Sequence, residues 1–106
     1  MDKLTTTIQR RWLRDIVARR KKTEYREIKP YWTKRLGSVS TPFLLRLING
    51  MGKKVPEVTV VVRRVQKNAK SGNYELQLGR IAEVRNWDRR RERPVAVSTR
   101  RSIRPA

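Results

Sequence analysis

The chain has 106 residues, with 28 Lys and Arg against 9 Asp and Glu, which gives a formal net charge of +19 at pH 7. A charge of this size attracts polyanions, so we expect nucleic acid as the partner, with an anionic membrane surface as the competing candidate. The sequence contains no Cys and no His, which excludes disulfides, thiolate or histidine metal sites and histidine acid–base catalysis, and we expect neither a metal nor another cofactor.

The first third of the chain predicts a strand, a helix and a second strand. β-branched residues favour a strand over Leu4–Ile8. Apolar residues at helical spacing over residues 12–17 predict a helix whose apolar face, Trp12 included, packs in the core. Alternation of side chains predicts the second strand over residues 23–28.

Pro30 begins a second predicted helix. Its fixed φ suits the first helical position, the helix continues over Tyr31–Leu36, and we expect Gly37 to end it in a left-handed conformation. Alternating apolar residues then predict a strand over residues 43–48, which is followed by the turn Asn49–Gly52, where two glycines permit positive φ.

Three more strands are predicted in the second half of the chain. Val58–Val62 is apolar on both faces, which indicates a central strand. Alternation over Tyr74–Leu78 predicts a fifth strand, and a last strand is expected around Ala82–Asn86. The fold class predicted from this order is mixed α+β, a small barrel of about five to six strands with two short helices inserted near the N-terminus.

Residues 1–87 hold every aromatic residue, and their number supports one domain with a single core. Residues 88–106 are basic and poor in apolar residues, so we expect a largely disordered tail that either contacts phosphates or stays passive. No apolar run reaches the roughly 18 residues of a spanning helix, and the amino terminus lacks the apolar core of a secretion signal. We therefore expect a soluble, cytoplasmic protein without a membrane partner.

The segment of residues 19–32 combines cations, carboxylates and aromatic residues, a mixture that suits a polyanion site better than a core. Lys and Arg side chains here and nearby are expected to contact phosphates, with a solvated charged face as the alternative. The candidate nucleic-acid-binding residues are Arg19, Arg20, Lys21, Lys22, Glu24, Arg26, Lys29, Tyr31, Lys34, Arg35, Asn49 and Arg85.

Glu24 is the acidic member of this set and needs its own explanation. We expect Glu24 to orient Lys21 or Arg26, or to accept a hydrogen bond from a base amino group. Strand alternation places Glu24 and Arg26 on the same face. Tyr31 is the candidate for stacking on an unpaired base, whereas Trp32 is expected in the core.

Lys21, Glu24 and Arg26 match the latter part of the Gly-x-Lys-x-x-Glu-x-Arg motif of the ASCH domain family, which the chain resembles over nearly all of residues 4–87. The string Glu-Tyr-Arg-Glu-Ile-Lys-Pro-Tyr-Trp and the turn at residues 49–52 are similar to a branch often found in phages and prophages. The chain departs from the motif at Arg19, where the family places Gly, and this implies either a strained residue or a different exit from the helix.

The resemblance implies a PUA-like β-barrel whose first helix-to-strand connection lines a cleft for RNA, a nucleotide or a nucleoside. The function that we expect is a nucleic-acid-binding module, with RNA favoured. The first alternative is a hydrolase acting on acetylated cytidine or RNA, for which the catalytic candidates are Lys21, Glu24 and Glu75; family members that deacetylate cytidine carry Thr at the position of Glu24. The second alternative is a phage-encoded protein that binds a host protein or ribonucleoprotein in the host cytoplasm.

Overall fold

The computed structural model describes residues 1–95, and the remainder of the predicted tail, 96–106, lies outside the described residues. Two helices and seven strands are present in this range. In chain order they are β1 (Lys3–Thr7), α1 (Arg10–Val17), β2 (Thr23–Glu27), α2 (Pro30–Gly37), β3 (Phe43–Ile48), β4 (Glu57–Asn68), β5 (Asn73–Arg85), β6 (Trp87–Asp88) and β7 (Arg93–Pro94). The mixed α+β class and the two early helices are as predicted.

Five strands form one curled sheet in the order β1-β3-β4-β5-β2, so that β1 and β2 are its edges. The pair β1 and β3 is parallel, and the other neighbours are antiparallel. Residues Val58–Val62 of β4 are buried on both faces of the sheet, which confirms the predicted central strand. The curled sheet has the shape of a half-barrel, with a gap between the edges β1 and β2.

Helix α1 packs against this sheet through its apolar face. Leu13 and Ile16 of the helix are fully buried, in one cluster with Leu45 and Leu47 of β3. Trp32 is buried, as the sequence predicts, and Trp87 is buried as well. Burial of this apolar surface is the main favourable term that holds the helix on the sheet.

Two arginines occupy the edge of β1 that faces the gap. Arg35 Nη2 donates to the Thr5 carbonyl at 2.8 Å, and Arg26 Nη2 donates to the Thr7 carbonyl at 3.0 Å. Because edge-strand carbonyls lack a ladder partner, these guanidinium groups satisfy acceptors that a closed barrel would satisfy with a neighbouring strand. Arg26 projects from β2, so its side chain bridges the two edges of the half-barrel.

The fifth and last strands predicted from the sequence are one continuous strand, β5. The ladder between β4 and β5 shifts register at three places between Thr59 and Arg64, which bends the pair without ending it. At the bend, a Cβ on Gly79 would lie 2.9 Å from Cγ of Arg63. Gly79 therefore allows the neighbouring strand to approach closely inside a bent but continuous strand.

Gly37 does not end α2 in the predicted left-handed conformation. It is the last helical residue, and the C-cap Ser38 has φ −90° and ψ −4°. The left-handed exit occurs instead after α1, where Arg19 has φ +67°. The sequence left open whether Arg19 is strained or the helix ends differently, and the structure shows the strained residue. Its left-handed backbone costs a non-glycine residue on the order of 1 kcal/mol.

The start of the predicted tail forms a short hairpin. Trp87 and Asp88 of β6 pair with Pro94 and Arg93 of β7. The apolar contact of the buried Trp87 and these ladder bonds give residues 88–95 an ordered connection to the domain, which charge composition alone did not predict.

Candidate functional site

Three charged side chains meet where β2 begins. Glu24 is 5% exposed, and its two carboxylate oxygens face different cations. Lys21 Nζ lies 3.4 Å from Oε1, and Arg26 Nη2 lies 2.6 Å from Oε2. Because a buried carboxylate is costly without compensating charge, the two cations offset the cost of burying Glu24. The orienting role predicted for Glu24 agrees with this geometry.

The connection between α1 and β2 brings Lys21 to this position. The backbone N–H groups of Arg20 and Lys21 both donate to the Asp15 carbonyl, at 2.8 and 3.0 Å. Arg19, which precedes them and follows the helix, has a left-handed backbone conformation, and its Nη1 donates to the Gly79 carbonyl at 2.7 Å. The chain therefore reverses within one turn, and the reversal places Lys21 beside Glu24.

Two aromatic rings flank the Lys21 ammonium group. Nζ lies 5.1 Å from the ring centroid of Trp12 and 5.0 Å from that of Tyr25. These distances permit cation–π attraction, which contributes about 0.5–1 kcal/mol at exposed sites. Trp12 remains 37% exposed and Tyr25 53% exposed. The Arg11 guanidinium carbon also lies 4.4 Å from the Trp12 ring centroid, so Trp12 shares its ring with two cations, whereas Tyr25 faces Lys21. The expectation that Trp12 is a core residue is wrong, because α1 fills the core with Leu13 and Ile16 instead.

Two open concavities share Trp12, Glu24 and Tyr25 as lining residues. The first, of about 560 Å³, is cationic and is lined further by Asp15, Arg20, Lys21, Lys22 and Thr23. The second, of about 530 Å³, carries amide, hydroxyl and backbone groups and is lined further by Thr7, Ile8, Gln9, Arg26 and Asn49. A ligand with an anionic part and a planar part could place the anionic part in the first concavity and the planar part in the second.

Arg26 contributes to the second concavity with an unusual feature. Its Nε atom is buried and has no hydrogen-bond partner within residues 1–95. Its guanidinium carbon also lies 5.1 Å from the centroid of the Trp32 ring. The group is thus held between Glu24, the edge carbonyl of Thr7 and an aromatic face, with its buried Nε–H unpaired within residues 1–95.

The structure brings some of the predicted binding residues together and separates others. Those that line the two concavities are Arg20, Lys21, Lys22, Glu24, Arg26 and Asn49. Asn49 also has a structural role, because its Nδ2 donates to the Ile8 carbonyl at 2.9 Å and its Oδ1 accepts from Arg10 Nε at 3.0 Å. Arg19 lies beside this group, with its guanidinium engaged by Gly79.

The predicted residues of α2 and its approach do not line either concavity. Lys29 pairs with Glu27 at 3.6 Å, and Lys34 is exposed. Tyr31 is 61% exposed, and its hydroxyl accepts a hydrogen bond from Arg35 Nη1 at 2.9 Å. The residue predicted from the sequence to stack on a base therefore lines neither concavity.

Two further candidates lie elsewhere on β5. Arg85 is at the far end of the strand, where its Nε is 3.6 Å from Glu83 Oε2. Glu75 accepts a hydrogen bond from Asn68 Nδ2 at 3.0 Å and lines a separate concavity near the β4–β5 turn. Neither residue lines the concavities that contain Lys21 and Glu24.

The sequence reasoning missed Trp12, Tyr25 and Gln9 as site residues. A signal for Tyr25 was available, since alternation that turns Glu24 inward must turn Tyr25 outward. No comparable signal distinguished Trp12, whose i, i+4 spacing to Ile16 is equally typical of a core position.

Among residues 1–95, no group of three or more acidic side chains is placed so that it could hold a metal ion. No helix in that part of the chain is both long and apolar enough to cross a bilayer.

Neither the comparison with models of protein families nor the search of curated proteins found a match to this chain.

Proposed function

We propose that the protein binds single-stranded nucleic acid, RNA in preference to DNA, at the two concavities beside Lys21. Bases would stack on Trp12 and on Tyr25, and the adjoining phosphates would lie in the cationic concavity. The observation that carries the proposal is the Lys21 ammonium group held by Glu24 between two accessible aromatic rings. Cationic grooves with aromatic side chains are the usual means by which proteins hold unpaired bases.

The second support is the overall charge. A formal charge of +19 on 106 residues raises the local concentration of polyanions at the surface. Phosphate contacts then give affinity without sequence preference, whereas the stacking rings and the amide groups of Gln9 and Asn49 offer contacts to a base. The preference for RNA rests on the resemblance to the ASCH family, and we propose that the half-barrel is a PUA-like barrel of that family.

Single-stranded RNA binding is tested by fluorescence anisotropy with a labelled oligonucleotide, comparing the wild type with Lys21→Gln. The matched control is Lys67→Gln, which removes the same charge from an exposed position near the β4–β5 turn. We expect Lys21→Gln to weaken binding by tenfold or more, about 1.4 kcal/mol, and Lys67→Gln to have a much smaller effect. Equal effects of the two substitutions would contradict a localised site.

The hydrolase alternative receives no specific support from this geometry. Both oxygens of Glu24 face cations, and the hydroxyl of Thr23 is hydrogen-bonded to Gln77 Oε1 at 3.3 Å. Incubation with acetylated cytidine and with RNA, wild type against Lys21→Gln, separates the alternatives. Turnover that disappears in the variant would replace binding with catalysis as the function.

A further inference from the structure

A loop of three consecutive arginines lies next to the cationic concavity. Residues 89–92 connect β6 to β7, and Arg89, Arg90 and Arg91 are all exposed. The loop is joined to the concavity by Arg20, which lines it and also forms a two-point contact with Glu92. Arg20 Nη1 and Nη2 lie 3.1 and 3.2 Å from the two carboxylate oxygens of Glu92.

Arg20 is itself fixed from the other side. Its Nε donates to Asp15 Oδ1 at 3.2 Å, and Asp15 is on α1 and lines the same concavity. A guanidinium that forks between two carboxylates has a defined direction, which a lysine would lack. The hydrogen-bonded chain of side chains Asp15, Arg20 and Glu92 therefore connects helix α1 to the arginine loop.

The loop also has internal contacts that define its shape. Asp88 Oδ1 accepts hydrogen bonds from the backbone N–H groups of Arg90 and Arg91, each at 3.0 Å. These bonds, first of all the one from Arg91, lower the pKa of Asp88, because they favour the charged carboxylate. Glu92 at the end of the loop has φ +53°, a conformation that a non-glycine residue keeps only where its surroundings impose it.

We infer that the Arg89–Arg91 loop is the outer wall of the nucleic-acid site and contacts phosphates of the strand as it leaves the cationic concavity. This inference rests on the proposed function. The Glu92–Arg20 pair is the positioning element, because it fixes the loop beside the concavity. It does so even though the Glu92 carboxylate places a negative charge close to the bound polyanion. Exposed arginines on a fixed loop suit phosphate contact, since their guanidinium groups can pair two oxygens at once.

The first test is the double variant Arg89→Ala/Arg90→Ala in the full chain, measured by anisotropy with labelled single-stranded RNA over a range of salt. The charge-matched control is Lys67→Ala/Lys70→Ala, at the opposite end of β2 from Arg20. Each lost phosphate contact lowers the slope of log K against log[salt] by about 0.7 for a single strand. We expect a slope smaller by about 1.4 in the arginine variant and an unchanged slope in the control.

The second test uses the sign of the effect of Glu92→Ala. Removal of any carboxylate from this cationic protein should strengthen RNA binding if net charge alone matters. Glu83→Ala, which removes an exposed carboxylate at the far end of β5, measures that effect. We expect Glu92→Ala to weaken binding by severalfold despite its higher net charge, with circular dichroism showing that each variant is folded.

Either of two results would overturn the inference: equal salt slopes in the two double variants, or tighter binding by Glu92→Ala to the degree seen with Glu83→Ala. Failure of the proposed function looks different. In that case the wild type does not bind single-stranded RNA, or Lys21→Gln binds as well as Lys67→Gln.

Discussion

Truncation of Trp12 tests whether the exposed aromatic rings carry the affinity. In Trp12→Ala, a bound base loses one stacking partner, which is worth about 1–3 kcal/mol per base. With 1.4 kcal/mol for each tenfold change, the dissociation constant should rise by about 5- to 150-fold. The fold should survive, because the ring is 37% exposed and the core contacts of α1 are made by Leu13 and Ile16. The loss of stability should therefore stay below the 3–5 kcal/mol typical of a buried tryptophan.

The comparison variant is Tyr31→Ala, which removes a more exposed aromatic ring from α2. The sequence alone favours Tyr31 as the stacking residue, whereas in the structure it lines neither concavity. We expect its dissociation constant to stay within about twofold of the wild type, since no stacking contact is lost. Anisotropy with labelled single-stranded RNA measures both variants, and urea unfolding checks their stability. A larger loss in Tyr31→Ala than in Trp12→Ala would refute the assignment of the site.

Three other predictions concern charge. Arg26→Met leaves the buried Glu24 with a single cation and should lower the free energy of unfolding in urea by about 3 kcal/mol or more. The control Lys29→Met breaks an exposed ion pair and should change the free energy of unfolding by less than 1 kcal/mol. Similar losses in the two variants would show that Glu24 does not depend on Arg26. Arg46 donates to both oxygens of Glu57 and lowers the pKa of that carboxyl below its ordinary 4.5. The stabilisation is therefore complete above the unfolded-state pKa and is lost as pH falls through the folded-state pKa, so the stability advantage of wild type over Glu57→Gln should shrink below about pH 4.5; a constant difference down to low pH would contradict this. Affinity for single-stranded RNA should fall steeply between low and moderate salt, and a flat dependence would argue against phosphate contacts.

Local patterns in the sequence predicted much of the sheet. Val58–Val62 is apolar at four of its five positions, is buried throughout and is the centre of the sheet, and alternation correctly placed Phe43, Leu45 and Leu47 on the buried face of β3. Both depend on periodicity, which is local. The continuity of β5 was not predictable in this way, because it depends on how Gly79 approaches Arg63 on the neighbouring strand.

The candidate site shows the same division. Alternation put Glu24 and Arg26 on one face, and the motif added Lys21, so the charged cluster followed from the sequence. The aromatic partner Trp12 did not, because helical spacing describes core and surface positions equally well when one face is wide. The bridge from Arg26 to the Thr7 carbonyl joins the two edge strands of the sheet, and no sequence pattern encodes such a contact.

The three tryptophans allow one spectrum to test the central claim. Trp12 lies at the site, while Trp32 and Trp87 are buried, so the indole N–H signals in a ¹H–¹⁵N spectrum report on the site and on the core. On titration with single-stranded RNA, we expect the Trp12 signal to shift progressively to saturation, with much smaller changes for Trp87. An unchanged Trp12 signal in a sample that anisotropy shows to be saturated with RNA would contradict the account.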